Sequence, residues 1–191
     1  MENKHKGLRM SSTKINSIVQ VGLMASIICV ATFIVHIPSF MGVVHLGDSM
    51  IFLAAVLLGR KKSAMASAIG MSLFDVLSGY VYWAPFTFII KGLMAFIAAS
   101  IVYRKKYEGE NVWNNLLAFS IAGIFMIIAY YFSGAVLARF VFAKTATLNQ
   151  AFILALKDVP GNISQALAGI IIGVPLSLTV KKALERSNIS I

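Results

Sequence analysis

A single cysteine, Cys29, stands in 191 residues, and it falls inside an apolar run. That excludes a disulfide framework and leaves no cysteine-based metal cluster. Acidic residues are scarce as well: seven Asp and Glu face 17 Lys and Arg, a formal net charge of +10. The chain has no Gly-x-Ser-x-Gly, no His-Glu-x-x-His, no cysteine with a base beside it and no Walker-type phosphate loop. An enzyme is therefore not expected, nor is a cofactor or metal, and a chain without a nucleotide site cannot drive itself with ATP. A cleavage motif is also missing after the basic start, so the run 18–37 reads as a retained helix and not as a leader.

What is abundant is apolar. Hydrophobic residues make up 59% of the chain and charged residues 13%, with a mean hydropathy of +0.83. A soluble domain of this size cannot hide that much apolar surface, whereas lipid can. The length suits one domain. The basic residues sit in short clusters between the apolar runs: Lys4, Lys6, Arg9 and Lys14, then Arg60-Lys61-Lys62, Arg104-Lys105-Lys106, and Lys181-Lys182 with Arg186. That spacing is the positive-inside signature of membrane insertion, so nucleic acid is not the expected partner. With about 20 residues needed per crossing, the spans are expected at 18–37, 48–59, 63–78, 85–103, 116–142 and 160–180. The expected fold is all-α: a multi-pass protein of the bacterial cytoplasmic membrane with six transmembrane helices and both termini cytoplasmic. A basic segment at 1–16 precedes the helical domain at 17–182, and a cytoplasmic tail follows at 183–191.

The spans are unequal. The second covers only roughly 18 Å as helix against a hydrocarbon core of about 30 Å. Either it begins earlier, near Phe40, or 39–46 enters the membrane without helical bonding, which requires burial in protein or a cavity wall. The second alternative is favoured, with Asp48 capping the helix start. The run 116–142 is too long and must tilt, project or break near Gly134. The sixth span begins at Pro160 with Asp158 able to cap it, and a short interfacial helix is expected at 151–157.

Polar groups within the spans call for partners or roles. Asp75 and Lys91 are expected at similar depths on neighbouring helices. They form either a buried ion pair or a pair that also holds a ligand. His45 lies on the entering segment and Asp48 at the mouth of the short helix. Asn162 and Gln165 share a face of the sixth helix with Gly169 and Gly173. Tyr130 and Tyr131 can reach the same layer. Tyr80, Tyr82 and Trp83 form either an interfacial aromatic belt or the cap of a pocket. On the first helix, Gly22, Ala25, Ser26 and Cys29 make a small-residue stripe for internal packing or for a partner in the membrane. Arg139, Lys144 and Lys157 are too scattered for a phosphate clamp.

The ordered set His45-Leu46-Gly47-Asp48, Leu57-Leu58-Gly59, Phe74-Asp75-Val76-Leu77-Ser78-Gly79-Tyr80, Trp83-Ala84-Pro85-Phe86-Thr87, Ile90-Lys91-Gly92-Leu93 and Pro160-Gly161-Asn162-x-x-Gln165 runs through nearly the whole chain. It resembles the S component of energy-coupling factor (ECF) transporters, in the riboflavin-transporter-like group that includes hydroxymethylpyrimidine and pyridoxine-type members. The resemblance implies a six-helix, substrate-specific subunit binding a vitamin or precursor on its outer side. It further implies a transmembrane coupling protein (T component) and two cytoplasmic ATPases as partners, with toppling in the membrane releasing substrate inside. Docking on the coupling protein would use Gly22 and Ser26, or Ala25 and Cys29. The expected substrate-binding residues are His45, Asp48, Asp75, Tyr80, Trp83, Lys91, Tyr130, Asn162 and Gln165. A self-neutralised charge pair with amides and rings suits a flat polar heterocycle. The alternatives are a stand-alone ion-coupled carrier using Asp75, against which stands the lack of an internal repeat, and, last, a membrane enzyme.

Overall fold

The computed structural model describes residues 2–143 and 147–187, with side chains from Lys14 onward. The side chains of Lys4, Lys6 and Arg9, together with Lys144 and the end of the tail, lie outside the described residues. In chain order come α1 (Glu2–Ile34), β1 (His36–Pro38), β2 (Val43–His45), α2 (Gly47–Leu77), α3 (Ala84–Val102), α4 (Val112–Leu137), α5 (Leu148–Leu156) and α6 (Val159–Arg186).

The path of α2 decides the architecture. A straight helix would place Asp48 and Asp75 about 40 Å apart. Instead the ring of Phe74 lies 5.9 Å from that of His45, so the chain reverses. It does so at Gly59, whose φ of 70° and ψ of −175° belong to a region that a side chain all but forbids. Two arms result, 47–58 and 60–77. Arg60, Lys61 and Lys62 therefore open the second arm and do not form a connecting loop.

Local chemistry explains the other ends. The Asn111 side chain accepts from Asn114 N at 2.9 Å and caps α4. Pro85 and Pro160 sit in the first turns of α3 and α6, where a missing N–H costs nothing. Thr147 and Gln150 form a capping box on α5, the short helix expected near 151–157. Past Gly134 the regular hydrogen bonding of α4 gives way to a π-helical turn, Ala138–Phe142.

Four expectations need correction. The first helix ends at Ile34, and its expected last residues form β1, which pairs antiparallel with β2 through His36 and His45. The stretch 39–46 is thus a β-hairpin tip and strand, non-helical as favoured. The helix α1 runs unbroken from Glu2 to Ile34, longer than the expected span 18–37 at its start. Asp48 makes no capping bond, because its carboxylate is turned into the bundle. Asp158 does not cap α6 either; it accepts from the Ser39 hydroxyl and from Met41 N, the latter at 3.2 Å.

The interior is filled by a few large side chains, Phe52, Phe74, Phe119, Ile28 and Met94 among them, set between many alanines. Phe52 stacks on Phe119 with centroids 4.2 Å apart and planes 8° from parallel. Small residues let the helices close in: a Cβ on Gly70 would stand 2.5 Å from Ala25 O, and one on Gly169 would stand 2.9 Å from the Asp48 Cβ. The flanks are the reverse of a soluble protein, with Ile18, Leu23, Val30, Ile89, Ile124, Phe132 and Ile171 pointing outward. Among the described residues four helical stretches, Lys14–Ile34, Ala84–Val102, Val112–Phe142 and Leu148–Arg186, are long and apolar enough to cross a membrane. The protein is an all-α membrane bundle.

The three later basic clusters, around Lys62, Arg104 and Lys181, meet at one end. Lys62 Nζ donates to Gln20 Oε1 at 2.6 Å, Tyr103 Oη to Val56 O at 2.5 Å, and Arg104 Nε to Asn114 Oδ1 at 2.6 Å. Lys181 donates to Glu108 O and lies 3.6 Å from Glu110. The hairpin, the turn at 79–83 and α5 lie at the other end.

Candidate functional site

Directly below the β-hairpin, a buried polar chain ties four elements together. Lys91 Nζ, from α3, donates to Asp48 Oδ1 on α2 at 2.5 Å, and neither side chain has any exposure. Gln165 Nε2, from α6, donates to the other carboxylate oxygen of Asp48 at 2.9 Å. The amide oxygen of Gln165 accepts from His45 N on β2 at 3.2 Å, and His45 Nδ1 accepts from Gly47 N at 3.2 Å. Each member satisfies the next, as buried charge in a low-dielectric interior requires. The expected Asp75–Lys91 pair is therefore overturned: the cation of Lys91 belongs to Asp48. The small face of α6 explains the choice. Gly169 and Gly173 let the first arm of α2 approach closely, and Asp48 sits between α3 and α6.

Above this chain lies a cavity that is partly open to solvent. Gly42, Val43 and His45 of the hairpin, Asp75 and Tyr80, Trp83 and Thr87, Tyr130 and Gly134, and Ala155, Asp158, Asn162 and Gln165 line it. A concave pocket with aromatic walls and several converging polar groups fits a small-molecule site. Of the nine residues expected to bind substrate, seven line the cavity: His45, Asp75, Tyr80, Trp83, Tyr130, Asn162 and Gln165. Asp48 and Lys91 do not; they are its support beneath. Tyr131 faces away, its ring 5.7 Å from Phe152.

The walls are held in place. Trp83 Nε1 donates to Met41 O at 2.7 Å, joining the turn at 79–83 to the hairpin tip. Its ring lies 5.8 Å from that of Tyr130. Any Cβ on Gly42 or Gly134 would touch the indole, at 3.7 and 3.5 Å. Trp83 is buried, which favours the pocket cap over the interfacial belt; Tyr82, mostly exposed, suits the belt. Tyr130 Oη donates to Thr87 Oγ1 at 3.1 Å, and the Thr87 side chain is within hydrogen-bonding reach of Asp75. The Asp75 Oδ2 and the Asp158 Oδ2 are buried without a hydrogen-bond partner.

Thr87 and Asp158 were not expected in the site. Thr87 stands one turn before Lys91 on α3, so helical spacing alone places it on the same face. No such signal marks Asp158, which reaches the cavity because the hairpin tip folds onto it.

The stripe on α1 divides between two faces. Ala25 and Cys29 are buried inside the bundle, Ala25 against Gly70. Gly22 and Ser26 are exposed, and a Cβ on Gly22 would meet nothing within 4 Å.

Comparison with known proteins fits this architecture. The chain is 31% identical over 164 residues to a protein of Pyrococcus woesei described as "Uncharacterized protein in gap 3'region", covering 82% of this chain and 96% of that protein. Residues 12–182 match the family model described as "ECF-type riboflavin transporter, S component". The chain belongs to this family of ECF transporter S components, membrane subunits of a transporter and not enzymes.

Proposed function

We propose that the chain is the substrate-capturing subunit of an ATP-driven vitamin importer, taking a vitamin or precursor from the outer side of the cell membrane. In this reading six segments cross the bilayer: α1, the two arms of α2, α3, α4 and α6. Both termini are cytoplasmic, in keeping with the basic clusters that meet at one end of the bundle. The observation that carries the reading is the polar, aromatic cavity at the opposite end, in a chain matching the S component family over 12–182. The substrate is a small flat heterocycle of the hydroxymethylpyrimidine or pyridoxine type, set between Trp83, Tyr80 and Tyr130. Energy comes from a transmembrane coupling protein with two ATPases, since this sequence carries no nucleotide motif. The exposed Gly22 and Ser26 let the coupling protein's backbone approach α1.

Binding can be read from fluorescence. Trp113, exposed and remote from the cavity, is first replaced by Phe, leaving Trp83 as reporter. Titration with a panel of B-type vitamins and their precursors is expected to give saturable quenching by at least one compound. A folded, monodisperse protein that binds none of them overturns the proposal.

A further inference from the structure

The charge pattern of the cavity narrows the ligand. Among the described lining residues are two carboxylates, Asp75 and Asp158, and no Lys or Arg. The Lys91 cation is held at 2.5 Å by Asp48 in a pair without exposure, and the Lys157 ammonium sits over the Phe40 ring at 4.3 Å. Asp75 is buried in the cavity wall and its Oδ2 has no hydrogen-bond partner; the Asp158 Oδ2 has none either.

A carboxyl group serving only to position the Thr87 hydroxyl would be a costly device. It leaves one buried oxygen unsatisfied, a larger penalty than a mean hydrogen bond returns, and an amide would serve as well. Two unsatisfied acceptor oxygens on residues lining one cavity call for donors from what fills it. The aromatic rings of Tyr80 and Trp83 in the lining add to this, since such rings attract a cation electrostatically. A ligand carboxylate, by contrast, would meet like charges in the described lining.

We infer that the cavity selects a ligand bearing an amino or protonated nitrogen, held by the Asp75 carboxylate, with Asp158 accepting a second donor at the rim. The ligand class is an amine- or aminopyrimidine-type heterocycle, and vitamins recognised through a carboxylate are excluded. This inference rests on the vitamin-binding reading above.

Matched ligands test it on the full chain, by Trp83 fluorescence or calorimetry. The pairs are 4-amino-5-hydroxymethyl-2-methylpyrimidine against its 4-hydroxy counterpart, and pyridoxamine against pyridoxine and 4-pyridoxic acid. Nicotinate and riboflavin are added singly. The amino member of at least one pair is expected to bind at least tenfold more tightly than its hydroxy partner, with the acids weakest. Asp75→Asn is expected to shrink that preference at least threefold. If an acid or a hydroxy compound binds as tightly as its amino partner, or riboflavin most tightly of all, the inference fails and the vitamin-binding reading stands. If Asp75→Asn folds and keeps the full preference, Asp75 is not the selecting group. If no compound binds the folded chain, both readings fall together. Should Asp75→Asn not fold, the comparison on the unsubstituted chain decides alone.

Discussion

At Asp48 a single carboxylate serves two donors, the Lys91 ammonium and the Gln165 amide, with no exposure to solvent. Removing one partner of such a pair leaves the other charge buried and unpaired, at a cost of about 3–5 kcal/mol. Lys91→Met is therefore expected to lower the thermal unfolding midpoint in detergent sharply, and Asp48→Asn to do likewise. The double substitution removes both charges and is expected to recover much of the loss. A double-mutant cycle on purified protein measures this; additive losses would mean that the two residues do not act as a pair. Asp75→Asn leaves the pair intact, so its effect is expected on ligand choice more than on stability. The sequence marked nearly every polar residue of this layer, because charge and amide inside apolar runs stand out. It did not give the pairing, since two carboxylates at the same end compete for one cation and only packing selects between them.

At the scale of elements, Gly59 and Gly70 carry different loads. Gly59 turns the chain with a backbone that only glycine adopts without strain, so Gly59→Ala is expected to cost about 1–3 kcal/mol. Chemical or thermal unfolding in detergent reads this directly, and a neutral result would mean the reversal takes another conformation. Gly70 permits contact between α1 and the second arm of α2, where any side chain would strike Ala25 O. Gly22, less than one helical turn before Ala25 on α1, has open space around it. Gly70→Leu is accordingly expected to abolish folding or lower stability strongly. Gly22→Leu is expected to leave stability and ligand binding unchanged while impairing uptake in cells that coexpress the coupling protein and ATPases. Loss of binding in Gly22→Leu would place that face inside the bundle instead.

For the whole molecule, the two ends differ in chemistry as well as charge. One end is closed by short polar contacts of Lys62, Arg104, Tyr103 and Lys181. The other holds the cavity under a hairpin fastened by Trp83 to Met41 and by Asp158 to Ser39 and Met41. A bundle that only needed to be stable could close both ends alike. The spans read from hydropathy fall close to the helices, because burial in lipid is a one-dimensional property of long apolar runs. The exceptions are instructive. Residues 36–38 are as apolar as a helix end yet form a strand, since pairing with 43–45 satisfies their backbone groups.

The sequence alone determined that this chain is a membrane bundle, where its basic clusters fall along the chain, and which polar residues share a layer. Those properties follow from length, hydropathy and helical period, each of which acts locally along the chain. Tertiary structure alone decided that Lys91 answers to Asp48, that Asp158 fastens the hairpin, and that Asp75 is left with a free oxygen in the cavity. These depend on which helices become neighbours and at what distance, and the small residues Gly70, Gly169 and Gly173 set that distance only once the bundle has closed.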